Sequence, residues 1–306
     1  TNLIDWYPYV PPRRDGKWLV HNPWFYGEHQ VYDIADYQVE IELLEPPANL
    51  VMAACAPAQQ SGSRYIYQHK NARNFTLSAS TMYTVVTQKV GEVTVTSYAF
   101  PFDAGGGKQA LKDAVDALAL YSKLFGPYPR TTLAVVEADF HDGMEYDGLY
   151  FLSRAFYSLY DGTPKGYLTA IGVHETAHQW WYALVGNDQA LEPWLDESLS
   201  TYSELLFYQA LYPDLVKWWW ANRVDYFNPK GWVNQRIYDF NGAFPYRDAV
   251  YLNGVHFLED IRKKIGDEAF FSFIKVYAVT NARRLVSTQE FFDQLSGFTL
   301  VDVQPV

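Results

Sequence analysis

Tyr37, Val39, Ile41 and Leu43 alternate with Gln38, Glu40 and Glu42, the period of a strand with one solvated face. Pro46 and Pro47 end the run. The segments "RNFTLSAS", "MYTVVTQKV" and "EVTVTSYAF" continue with β-branched and aromatic residues, and Gly91 falls at a hairpin turn. Residues 1–102 therefore read as a β-rich N-terminal domain. From Asp103 the pattern changes. The run Gly105 to Gly107 reads as a flexible joint, after which Leu111, Val115 and Leu118 recur at helical spacing until Gly126 and Pro127 stop the helix. "TTLAVVEADF" predicts one more strand, and from Lys165 helices are expected near 165–185, 196–212, 214–227, 247–265, 267–279 and 288–296. No internal repeat or low-complexity tract interrupts this order. The expected fold class is α+β, a β-sheet domain followed over 103–306 by a mixed, mostly helical domain.

Composition narrows the function classes. The 306 residues are 49% hydrophobic and 18% aromatic, enough for a substantial core without covalent staples. No run of about 18 uncharged apolar residues is present, so no transmembrane helix is expected. A net charge of −11 argues against a nucleic-acid partner, whose phosphates call for a basic surface. Cys55 is the single cysteine, which excludes an intramolecular disulfide and a thiolate metal cluster. The chain opens at Thr1 without a basic-then-apolar leader, so removal of a leader or trimming is expected. Compartment, whether cytoplasmic or secreted, and oligomeric state are left open.

Candidate chemistry concentrates in "GVHETAHQWWYALVG". His174 and His178 are four apart and flank Glu175; on a helix both imidazoles point the same way and can reach one ion. Chance alone produces this five-residue pattern on the order of once in a hundred such chains, so a third ligand decides its meaning. A third histidine six residues beyond His178 is absent, because Trp181 and Leu184 hold those positions. "EPWLDESLSTY" instead offers Glu197, with eighteen residues between it and His178. Glu204, seven residues further, falls on the same helical face and is a candidate acceptor for a ligand histidine N–H.

With that spacing the chain resembles the gluzincin zinc metallo-aminopeptidases of the aminopeptidase N type, relatives of thermolysin. Gln179-Trp180 and Trp194-Leu195 extend the likeness beyond the ligands. The resemblance implies one Zn²⁺ on His174, His178 and Glu197, with Glu175 as general base. "HDGMEYDG" resembles the family's exopeptidase segment, so Gly143, Met144 and Glu145 would bind the substrate, Glu145 holding its free α-ammonium. Asp142 stands where the family has glycine. In "AVYLNGVHF", Tyr251 matches the tyrosine that stabilises the oxyanion, Asn253 replaces the usual lysine, Gly254 is retained, and Tyr246 is the alternative for the tyrosine. The implied fold is a partial β saddle followed by a thermolysin-like, mostly helical catalytic domain with a small sheet. About half of the family's saddle is present, and the chain ends shortly after the catalytic region, as a fragment, a truncated form or a minimal member would. The implied partners are peptides with a free N-terminus. The rivals are a gluzincin endopeptidase, a lipid-epoxide hydrolase, and a non-catalytic binding or assembly module. The remaining histidines and the "KWWWANRV" tryptophans read as surface or packing residues. For a second amine contact only Asn2 and Asp5 offer themselves.

Overall fold

The computed structural model describes residues 1–301 and 303. It is a mixed α and β structure, and its chain falls into two compact units, both discontinuous in sequence. One comprises Thr1–Tyr9, Ile34–Ala119 and Tyr128–Gln179; the other comprises Val10–Asp33, Leu120–Pro127 and Trp180–Val306. In chain order the helices are α1 (Ala104–Phe125), α2 (Arg154–Ser158), α3 (Tyr167–Ala177), α4 (Trp194–Leu211), α5 (Val216–Trp219), α6 (Ala243–Arg247), α7 (Gly254–Ile265), α8 (Asp267–Thr280) and α9 (Thr288–Leu295). No described helix is long and apolar enough to cross a membrane.

The first unit holds the large sheet, ordered 143–146, 149–153, 132–138, 93–99, 84–90. Strand Thr132–Ala138 runs parallel to both its neighbours, while the outer pairs are antiparallel. It is buried along nearly its whole length, as expected of a central strand covered on both faces. Gly91, at φ +56°, makes the predicted hairpin turn between Thr84–Val90 and Val93–Ala99. Strand Ala35–Glu42 alternates half-buried Tyr37, Val39 and Ile41 with exposed neighbours and pairs antiparallel with Arg64–Ala72. Tyr67, Phe75, Leu77, Val136, Leu149 and Phe151 form the core of this unit.

The glycine run is not a joint. Gly105 to Gly107 lie inside the first turns of α1, where a Cβ on Gly107 would sit 2.6 Å from the Ala99 Cβ. Gly107 is small so that the helix can approach the strand closely, and Gly106 so that it can pack on Tyr157.

Helix α3 departs from expectation in two ways. It is buried from Leu168 to Ala177, so its pattern lacks a polar face. It also ends at Ala177 rather than continuing to 185. In the second unit the chain turns back on itself, with Val185 N–H donating to the Trp180 carbonyl and Tyr182 at φ +135°. From Lys165 on the described chain is mainly helical as predicted, but two stretches, Trp220–Val224 and Asp248–Asn253, are π-helical turns. The predicted helix at 247–265 is therefore a π turn followed by α7.

The start of α3 is held by a buried carboxyl. Asp113 on α1 accepts hydrogen bonds from Thr169 Oγ1 and Gln109 Nε2, both at 2.8 Å. Burial pushes its pKa up to about 7, against the opposing pull of those two hydrogen bonds and of the Lys112 charge. The folded form therefore binds this proton more tightly than the unfolded chain, near 3.8. That stabilisation is complete below pH 4 and is lost as pH rises through about 7. Thermal unfolding followed from pH 5 to 8 should show a loss of roughly 3 kcal/mol that Asp113→Asn removes; an unchanged slope in the variant would contradict this account.

Candidate metal centre

His174 lies in the last turn of α3 and His178 caps it, still in right-handed helical geometry, with its N–H on the His174 carbonyl. Their Nε2 atoms are 3.0 Å apart, and both residues are at most 3% exposed. Two imidazoles on one tetrahedral ion at 2.0–2.1 Å would stand roughly 3.3 Å apart, so the pair is close to that spacing. A packed histidine pair with one N–H pointing at the other would share this distance. A third donor would separate the readings, and the sequence spacing offers Glu197 for that place. Two neutral imidazoles and a carboxylate are a donor set that suits zinc and leaves room for water.

Within the first unit, one ligand atom from each of Glu145, Glu175 and His178 lies within 4.8 Å of the other two. Glu145 sits within strand Gly143–Tyr146, 4% exposed and opposite Tyr150. The strand passes so close to α3 that a Cβ on Gly143 would lie 2.0 Å from Glu175 Oε1 and 2.7 Å from Ile171 Cγ2. Only glycine fits there. Met144, opposite Phe151, is half-buried, and exposed Asp142 accepts a hydrogen bond from the Gly143 N–H through its own side chain.

Two residues that the motif reading left without a task fix this strand. Gln179, directly after His178, accepts from Gly148 N–H at 2.9 Å and donates to the Tyr146 carbonyl at 2.9 Å. It ties the hairpin turn that follows Glu145 to the end of the histidine helix. Asp147, in that turn, pairs with Arg130 at 2.6 Å and accepts from the Arg73 N–H, while its own N–H donates to Asn74. Buried polar residues clustered in a turn beside "GMEY" were the available signal for Asp147.

Glu197 stands in the first turn of α4, where the helix dipole favours a carboxylate. Tyr251 donates its hydroxyl hydrogen to Glu197 Oε1. Burial, then the Glu197 charge, holds the Tyr251 pKa well above the usual phenol value, so it stays a donor. Gly254 permits the contact that places Tyr251, since a Cβ there would lie 2.1 Å from Ser198 Oγ. Further along α4, fully buried Glu204 accepts from Arg223 at 2.8 and 2.9 Å and from Trp219 Nε1 at 3.2 Å. Arg223 belongs to the π turn that follows Trp219, the buried member of the tryptophan run. Asn2, one candidate second amine contact, accepts from Ser78 Oγ.

The model of the family described as "Peptidase family M1 domain" matches residues 109–306. The chain belongs to peptidase family M1. Among curated relatives, it is 25% identical over 233 residues to endoplasmic reticulum aminopeptidase 1 of Homo sapiens, covering 69% of this chain and 24% of that protein. It is 29% identical over 197 residues to aminopeptidase M1-D of Oryza sativa subsp. japonica, covering 58% and 22%. Endoplasmic reticulum aminopeptidase 2 of Homo sapiens matches at 34% over 131 residues, 40% and 14%. The matched stretch thus spans less than a quarter of the length of these relatives.

The family M1 chain should bind one Zn²⁺, measured by metal analysis after dialysis. Alanine at His174, His178 or Glu197 should weaken zinc binding by about 100-fold or more and abolish the rise in Tm on zinc addition. Full zinc content in all three variants would move the metal elsewhere. Gly143→Ala should retain zinc and lose about 1–3 kcal/mol of thermal stability through overpacking against Glu175.

Proposed function

We propose that this chain carries the catalytic apparatus of a zinc-dependent aminopeptidase, which removes the N-terminal residue from peptides. The observation that carries the reading is the convergence of Glu145 and Glu175 on His178, one of the two paired imidazoles. A hydrolytic centre with a second carboxylate at hand has a group to receive a free ammonium. We also propose that residues 103–306 form a thermolysin-like peptidase domain after a partial β saddle at 1–102; the family match from residue 109 supports this division.

Zinc, when bound by His174, His178 and Glu197, would supply Lewis acidity to water and to the scissile carbonyl. The protein groups do the rest. Glu145 receives the α-ammonium, which sets the scissile bond one residue from the end; Gly143 and Met144 line its approach. Glu175 takes a proton from the attacking water as the new C–O bond forms, and returns it to the leaving nitrogen as the C–N bond breaks. Tyr251 donates its O–H to the carbonyl oxygen as negative charge develops there. Glu204, clamped by Arg223, accepts a ligand-histidine N–H and orients that ring. The partners in this reading are peptides with free N-termini; no basic surface for nucleic acid is proposed.

A panel of aminoacyl fluorogenic amides, with N-acetylated counterparts, tests the proposal. Turnover should require a free amine and disappear with a chelator. Glu175→Gln should lower kcat by about 10²–10⁴-fold, and Glu145→Ala should lower kcat/KM for the free-amine substrates by roughly 100-fold or more. Turnover that survives chelation would overturn the zinc reading. Equal cleavage of acetylated substrates would replace the exopeptidase reading with an endopeptidase one.

A further inference from the structure

Tyr246, 4% exposed, has a buried hydroxyl with no hydrogen-bond partner. A buried hydroxyl left unsatisfied costs about 1–3 kcal/mol, so a well-packed protein seldom keeps one without use. Its surroundings are not apolar by neglect. Glu28, Glu197 and Asp196 all act on it electrostatically, and it shares the corner occupied by Tyr251.

The backbone brings the two tyrosines together. They are five residues apart, and in a regular α-helix they would point about 140° away from each other. After α6 the chain passes into the π turn Asp248–Asn253, whose i→i+5 repeat brings such a pair toward one face. Their rings meet edge-to-face with centroids 5.7 Å apart. Tyr251 approaches the Tyr246 hydroxyl closely enough to act on its ionisation as a weak hydrogen-bond partner, while the Tyr246 oxygen meets no group at ordinary hydrogen-bond distance and angle.

Packing also fixes the Tyr246 ring. Tyr26 and Phe240 lie against it with centroids 5.5 and 5.6 Å away. Gly27 leaves room for it, because a Cβ there would lie 3.1 Å from its Cζ and hydroxyl oxygen. The ring is held in place while its hydroxyl is unengaged. Tyr251, in contrast, is engaged with Glu197 and must leave it to reach a substrate oxygen.

We propose that Tyr246 is a positioning residue for Tyr251: when Tyr251 turns its O–H from Glu197 to the substrate oxygen, Tyr246 donates its own O–H to the Tyr251 oxygen. This contact holds Tyr251 in its working rotamer and strengthens its proton as a donor, by hydrogen-bond cooperativity. No proton changes owner. The inference rests on the aminopeptidase reading and adds a residue to it.

The test compares Tyr246→Phe, Tyr251→Phe and the double variant in the zinc-loaded chain. It measures kcat and KM on aminoacyl amides, affinity for a free-amine phosphinic dipeptide that mimics the tetrahedral intermediate, and Tm. Tyr246→Phe should lower kcat by about five- to twentyfold and weaken the phosphinic dipeptide by a similar factor, with KM within about twofold. The same change should cause no further loss once Tyr251 is Phe. Because the hydroxyl has no partner in the resting protein, Tm should hold or rise. Unchanged kcat, multiplicative losses in the double variant, or a large fall in Tm would each overturn the inference while leaving aminopeptidase activity intact. A wild-type chain that releases no N-terminal residue would instead bring down the underlying reading, and this inference with it.

Discussion

Two imidazoles held 3.0 Å apart in the interior of a protein are the constraint on which the rest of the site depends. The i, i+4 spacing points both rings the same way, and α3 is buried over nearly its whole length, so neither can escape to water. A helix this enclosed needs its other polar groups satisfied. Thr176 donates to the Gly172 carbonyl and shares a hydrogen bond with Tyr150, while Thr169 donates to Asp113. These contacts leave the histidines and Glu175 in a fixed relation.

The carboxylates that accompany the histidines are placed by close approaches that only small residues allow. Gly143 lets the strand bearing Glu145 pass against Glu175, and Gly254 lets α7 pack on α4 beside Ser198, one residue from Glu197. Gln179 adds a directional tie, with both ends of its amide used on the turn that follows Glu145. Loss of any of these contacts would leave the ligands present in the sequence and their geometry altered, the condition under which catalytic rates fall steeply for shifts of about 1 Å.

The legible parts of the sequence were those with strong periodicity or a fixed spacing. The alternation at Tyr37 to Leu43, the hairpin at Gly91 and the helices near 194–211 and 267–280 follow from local pattern. The histidine and glutamate spacing points to a candidate metal centre from local sequence alone. What escaped was set by tertiary contact. Gly105 to Gly107 carry the composition of a flexible segment, yet the small size of Gly106 and Gly107 is required by packing against Tyr157 and Ala99. The turn that follows α3 holds Tyr182 at a left-handed φ that no local residue choice announces. The π turns that orient Arg223 and Tyr251 have no counterpart in a 3.6-residue period. The helical period places Glu204 on the face of Glu197, whereas its clamp by Arg223 depends on a π turn distant in sequence.

The central claim is that one zinc sits on His174, His178 and Glu197 with Glu145 facing the free amine of a peptide. Its most direct test is anomalous diffraction at the zinc edge from crystals grown with zinc and a free-amine phosphinic dipeptide. The account predicts one zinc peak, bonded to both histidine Nε2 atoms and a Glu197 oxygen at about 2.0–2.2 Å, with the inhibitor ammonium on the Glu145 carboxylate. A peak away from these three residues, or an ammonium that avoids Glu145, would contradict it.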